Sequence, residues 1–199
     1  MVLSWVQRKA DEMLAVKPIT KDSPDFEEVK QIYLSEFPRD ERAPMWILLW
    51  KAKKDSVEFL ACYDEDTLIG FVYLILWEKV TFILFFAVNN KLQSKGYGSK
   101  ILGLVKDRYP GNKIVLDIEI LDEKAWNYEQ RKRRRSFYLK NGYEPTGVIM
   151  QESSMAFELL VNGGAFVEEE LHSLFRSYLG SVIYFFNKPK LVRQQNSSD

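Results

Sequence analysis

The sequence predicts an α/β (α+β) chain with a mixed central sheet, in which an antiparallel meander leads into a parallel β-α-β unit. Three observations predict it. Residues 57–63, 67–77 and 80–88 are rich in Val, Ile, Phe, Leu and Tyr, as strands are. The links between them are too short for parallel crossovers and permit only antiparallel pairing. After Val88 the grammar changes: a loop with two glycines, a helical pattern from Gly98 to Arg108, then a strand-like run over residues 113–120. A strand, a helix and a strand of this length form a parallel crossover, so the sheet holds both kinds of pairing.

The remaining elements follow in order. Residues 25–36 place Phe26, Val29, Ile32 and Tyr33 at helical spacing. Asp22, Ser23 and Pro24 are start signals, and Pro38 stops the helix. A charged linker, Arg39-Asp40-Glu41-Arg42, leads to Pro44, which opens a second apolar helix ending near Lys53. Pro110-Gly111-Asn112 ends the Gly98–Arg108 helix. A basic helix runs from Tyr128 to Asn141 and is closed by Gly142 at the C′ position. Two more strands are expected near 144–150 and 154–161, then a break at Asn162-Gly163-Gly164, a helix over 166–179 and a last apolar run, Ser181 to Phe186. The tail from Arg193 is polar. Residues 1–161 read as one domain and 162–199 as a helix-strand extension packed on it.

Composition narrows the function classes. Lys plus Arg number 28 and Asp plus Glu number 28, so no global charge draws the chain to nucleic acid or an anionic membrane. Any such role needs a local patch. Cys62 is the one cysteine and His172 the one histidine, which leaves no disulfide framework and little material for a Ser-His-Asp triad or a multi-His metal site. The expectation is no metal. Acid-base chemistry then falls to carboxylates, Tyr, Lys or water. Met1 to Val16 lacks the apolar stretch of a signal peptide, and the apolar region Phe71 to Val88 is broken by Glu78-Lys79. With the cysteine usage, this points to the cytoplasm, with no membrane and no nucleic-acid partner, as a monomer or homodimer.

The segment Val88 to Lys100 carries the most information. Its glycines let backbone amides approach a ligand closely, and the helix start adds unpaired N–H groups and the positive end of the dipole. Together they suit a phosphate group. A dinucleotide fingerprint needs a third glycine where Ile101 stands, although Asp117 lies at a fitting distance. A turn that uses glycine for geometry alone is the plain alternative.

Gln93-Ser94-Lys95-Gly96-Tyr97-Gly98 resembles the pyrophosphate-binding motif of the GNAT acetyltransferase superfamily, Gln/Arg-x-x-Gly-x-Gly/Ala, with every fixed position filled. Further on, Ser136-Phe137-Tyr138-Leu139-Lys140-Asn141-Gly142-Tyr143 resembles its second motif, Phe-Tyr-x-x-x-Gly-Phe/Tyr. The resemblance covers residues 17–161. It implies direct transfer of an acetyl group from acetyl-CoA to a primary amine of a small molecule or peptide. It assigns the coenzyme to Gln93, Ser94, Lys95, Gly96, Tyr97, Gly98 and Ser99, with the strand end Phe86, Ala87 and Val88 before them. Asn127, Arg131 and Arg134 are further coenzyme contacts, the arginines toward its 3′-phosphate. Tyr138 is implied as the acid that protonates the departing thiolate; a phenol with pKa near 10 can donate at neutral pH.

Two positions depart from the family pattern. The strand before the loop, Thr81 to Val88, has no carboxylate where many relatives carry a Glu base. Asp117 and Glu119, on one face of the next strand, or a water chain, are the alternatives. Arg131 stands where the family often has Asn. The run Arg131 to Arg135 also suits a plain solvated helix face. Arg39, Asp40 and Glu41 border the expected acceptor pocket, where the two carboxylates suit a cationic acceptor. The rival class is a GNAT-like acyl-CoA sensor or interaction module without turnover.

Overall fold

The computed structural model describes residues 14–152, 155–186 and 188–193, so the expectation on the first 13 residues lies outside it. In chain order the elements are β1 (Ala15–Pro18), α1 (Phe26–Glu36), α2 (Met45–Lys51), β2 (Val57–Asp64), β3 (Thr67–Trp77) and β4 (Val80–Val88). A 3₁₀ turn (Asn90–Leu92) precedes α3 (Tyr97–Arg108), β5 (Lys113–Glu119), α4 (Tyr128–Lys140), β6 (Glu144–Glu152) and β7 (Met155–Asn162). The chain closes with α5 (Glu168–Leu179), α6 (Ser181–Phe186) and β8 (Lys190–Arg193).

The strands form one mixed sheet in the order β1-β2-β3-β4-β5-β7-β6-β8. β4 and β5 pair in parallel from Val80↔Lys113 to Ile83↔Leu116, the crossover that the sequence predicts. β5 pairs with β7, and β7 with β6, antiparallel. Two edge strands went unpredicted. β1 and β8 have four residues each and are mostly exposed, too short for a periodic signal. The last apolar run, Ser181–Phe186, is a helix. The capping residues also differ from expectation: Asp25 is the N-cap of α1 without a side-chain cap bond, and its carboxylate instead accepts the Tyr63 hydroxyl at 2.7 Å. Ser23 folds back on Thr20.

By contacts the chain falls into two compact units. The first comprises residues up to Leu74 with Phe85–Pro110, the second Ile75–Leu84 with everything from Gly111. The first unit is organised by rings. Tyr33 and Phe37 of the α1 end meet Phe71 and Phe85, and Phe59 meets Phe71 and Tyr73, with centroids 5.0 to 6.4 Å apart and mostly edge-on. The two tyrosines of this cluster reach polar partners: Tyr33 donates to the Ala43 carbonyl (3.0 Å) and Tyr73 to that of Leu48 (3.1 Å). These bonds fix the α1–α2 loop and α2 on the same aromatic base.

In the second unit α5 buries Leu171, Leu174 and Phe175, the last packed on Phe82 with centroids 5.1 Å apart. Asn112 donates to the Thr81 hydroxyl at 3.0 Å, and Lys113 pairs with Glu170. A bulge between Pro145 and Ile149 interrupts the β6–β7 register; there Gly147 takes positive φ, and Thr146 donates its hydroxyl to Leu159 O. No helix among the described residues is long and apolar enough to cross a membrane.

Candidate active site

In the first unit, β4 ends at Val88 and hands the chain to the glycine loop. Asn89 controls this exit. It is buried, its backbone N–H donates to Ile69 O at 2.8 Å, its side-chain oxygen accepts from Lys91 N, and its amide donates to Glu28 at 3.2 Å. Gln93 donates to Glu36 at 3.2 Å, so α1 braces the loop at two points. The Tyr97 hydroxyl donates to Asp64 of β2 at 2.7 Å.

The start of α3 is built for an anion. Gly96 is its N-cap at φ 82°, a left-handed conformation that most side chains resist, and it offers no capping side chain. The amides of Tyr97, Gly98 and Ser99 therefore keep the unsatisfied donors of a helix start, with no acidic residue in the first turn. A Cβ on Gly96 would meet nothing within 4 Å, so it is the left-handed backbone and not crowding that calls for glycine here. Phe86, Ala87 and Val88 lie on the strand leading in, with Ala87 buried. Arg39, Asp40 and Glu41 lie in the α1–α2 loop; Arg39 and Asp40 are exposed. Arg42 donates to Leu34 O at 3.3 Å in the same loop.

In the second unit, the end of α4 explains the spacing of its motif. Asn141 is the C-cap and Gly142, at φ 79°, the C′ residue. Gly142 N bonds to Leu139 O and Tyr143 N to Tyr138 O, both at 3.1 Å. That is a Schellman motif, and its hydrophobic contact is made by the rings of Tyr138 and Tyr143, centroids 5.6 Å apart. Asn162 clamps the turn by donating to Gly142 O at 2.5 Å. Tyr138 is thus held both by its helix and by the cap. Burial pushes its phenol up to about 12; Arg134 pulls it down and Asp117 pushes it further up. The sequence-based value near 10 is corrected accordingly.

Glu119 and the basic run meet one another. Glu119 accepts Arg131 Nη2 at 2.8 Å, Arg134 Nη1 at 3.0 Å and the Asn127 amide at 3.2 Å. Arg131 spends its other donors on Asn127 Oδ1 (2.8 Å) and Ile120 O (3.0 Å). Arg135 grips Glu158 in a fork, at 2.7 and 3.0 Å. Three of the four arginines in this run are therefore ion-paired within the unit. Asp117 lies two residues before Glu119 on the same face and acts electrostatically on Tyr138. Cys62 is buried with its thiol pushed up to about 12, which removes it as a nucleophile. His172 faces Tyr184.

Tyr143 carries a buried hydroxyl without a hydrogen-bond partner. Removing it should relieve an unsatisfied donor, so Tyr143→Phe is expected to stabilise the protein by about 1 kcal/mol, raising the thermal midpoint by about 2–4 °C. A lower midpoint in scanning calorimetry would show that the hydroxyl has a water or other partner. Sequence reading also missed Asn89 and Gly70. A polar residue closing an apolar strand, and a glycine inside one, were the available signals.

The sequence model of the acetyltransferase (GNAT) family matches residues 26–143. No curated protein matches. Among solved structures, a GNAT-family protein from Bacteroides thetaiotaomicron superposes with TM-score 0.68 at 22% identity, over 85% of this chain and 98% of that one. An aminoglycoside 6′-N-acetyltransferase complexed with coenzyme A gives 0.59 at 14% identity, over 74% and 96%. A GNAT-family acetyltransferase from Elizabethkingia anophelis with acetyl-CoA bound gives 0.52 at 17% identity, over 76% and 98%. These likenesses establish the fold, and the family match spans more than half the sequence. With its glycine loop, its uncapped α3 and its Schellman-locked Tyr138, the chain belongs to the acetyltransferase (GNAT) family.

Proposed function

We propose that the protein moves an acetyl group from acetyl-CoA to a primary amine, by direct attack of the amine on the thioester within a ternary complex. The observation that carries this reading is the start of α3, where the left-handed Gly96 leaves the following amides without a capping side chain or an acidic neighbour in the first turn. The donors of residues 97–99 suit a pyrophosphate, and Ala87 and Val88 offer strand backbone to the pantetheine arm. Acetyl-CoA supplies an activated acyl thioester. Both coenzyme-bound structures compared above share this fold.

The residue roles follow from donor inventories. Arg134 has guanidinium donors beyond the one given to Glu119 and is our choice for a coenzyme phosphate contact. Arg131 and Asn127 orient Glu119 and α4. The Glu119 oxygens are already engaged by two guanidinium groups and an amide, so our choice of base is Asp117 or a water on it. The acceptor must lose a proton, since an alkylammonium has pKa about 10.4. Tyr138 donates to the sulfur as the C–S bond breaks and the C–N bond forms. Asp40 and Glu41 would attract a cationic acceptor.

The deciding experiment follows thiol release from acetyl-CoA with polyamines, aminoglycosides, amino acids and peptide N-termini. Amine-dependent release is expected with one of these classes; release that no amine stimulates would defeat the reading. The loop is tested separately. Gly96→Asp puts a negative charge where the pyrophosphate should sit and is expected to weaken acetyl-CoA binding at least about tenfold in calorimetry. Unchanged affinity in the folded variant would remove the loop from the coenzyme site.

A further inference from the structure

Three of the most exposed apolar side chains share one short helix. Val182, Phe185 and Phe186 of α6 are 74%, 79% and 79% exposed. Their i, i+3, i+4 spacing puts them on one face. Tyr184 points the other way, is buried and meets His172 Nδ1 at 2.6 Å, while the Arg176 guanidinium lies 5.5 Å from its ring. These contacts hold α6 on α5 with its apolar face outward. The Phe185 and Phe186 rings pack edge to face, 5.3 Å apart, as one ready-made unit. An exposed apolar face of this kind marks an interaction surface. It lies outside residues 26–143, so the family pattern does not require it.

The surrounding charge says what covers it. From residue 168 to 193, Glu168 is taken by Arg193 and Glu170 by Lys113. Arg176 lies against the inward-facing Tyr184 ring, which leaves Lys188 and Lys190 beside the aromatic face and Glu169 as the remaining acid of this stretch. Lys188 and Lys190 are exposed and follow the phenylalanines directly. A chain of zero net charge therefore carries two exposed lysines next to an aromatic face. We propose that α6 docks the protein onto an anionic lipid bilayer, with Val182, Phe185 and Phe186 entering the interface and the cations meeting the headgroups. The contact is peripheral, since a six-residue helix cannot span the bilayer. A second copy fits less well: two-fold pairing of these faces would set lysine against lysine, and the neighbouring edge strand β8 is blunted by Lys190 and Arg193.

The test sediments the full-length protein with vesicles of phosphatidylcholine, alone or with about one-third phosphatidylglycerol. Binding is expected to the anionic vesicles only, and to weaken with salt. Phe185→Ser with Phe186→Ser should reduce partitioning by about 100-fold. Lys188→Glu with Lys190→Glu should reduce it by about tenfold or more. Both double variants change exposed side chains, so their thermal midpoints should match the parent. Three results would overturn the proposal: no sedimentation with either vesicle, equal sedimentation with both, or a concentration-dependent dimer in light scattering that the phenylalanine variant makes monomeric.

Discussion

Replacing Tyr138 by Phe is expected to slow kcat by about 10²- to 10⁴-fold, the usual worth of a positioned proton donor. The substitution removes only a hydroxyl. The ring contact with Tyr143 and the backbone bond from Tyr143 N to Tyr138 O stay in place, so the thermal midpoint and acetyl-CoA affinity should hold. The pH profile carries more information. With the phenol raised to about 12, it stays protonated throughout the working range, so kcat should rise with pH as the acceptor loses its proton and then stay flat. Full transfer from such a phenol to a thiolate of pKa about 8.5 is uphill by about 5 kcal/mol. The phenol therefore acts as a strong hydrogen bond to the charge developing on sulfur, with the proton following as the C–S bond opens. The measurement is kcat against pH for both forms with the acceptor found by thiol release. Full kcat in the variant would hand protonation to water or another group and return Tyr138 to a packing role.

Gly70→Ala should cost about 3 kcal/mol or more, lowering the thermal midpoint by about 6–12 °C. A Cβ at Gly70 would lie 2.2 Å from Ala87 O and 3.0 Å from Val88 Cα. Both obstacles are backbone, so no rotamer change relieves them. β3 and β4 approach here closely enough for only a hydrogen to fit, and the next residue pair is tied by the bond from Asn89 N to Ile69 O. Whatever part of the variant folds must push the Ala87–Val88 end of β4 outward, so its acetyl-CoA affinity should fall too. Calorimetric melting and coenzyme titration check the two effects separately. An unchanged midpoint would mean that the strands adjust freely at this point.

The meander was legible because its strands are buried and apolar along most of their length, while the turn chemistry gave no help. Glu65 and Glu78 take positive φ in the two-residue connections where hairpins usually use Gly or Asn. The glycine loop and the Tyr138–Gly142–Tyr143 spacing were legible for a local reason. A left-handed N-cap and a Schellman cap are short-range structures whose residue requirements repeat at fixed offsets. The basic run at 131–135 was not legible. Its partners Glu119 and Glu158 come from two different strands, and only the fold reveals that charges reading as a coenzyme or nucleic-acid surface are largely neutralised at home.

By itself, then, the sequence determined the order of elements from α1 to α5, the mixed sheet and the two motifs, since these rest on periodicity, caps and conformations that neighbouring residues enforce. The tertiary structure alone decided what long-range proximity decides. It buried Tyr138 and so raised its phenol, it committed Glu119 to two arginines, it made Gly70 indispensable through a backbone contact with β4, and it left the aromatic face of α6 in solvent. Burial and Coulomb interaction depend on which atoms are within a few ångströms, and neither is written in the spacing of residues along a chain.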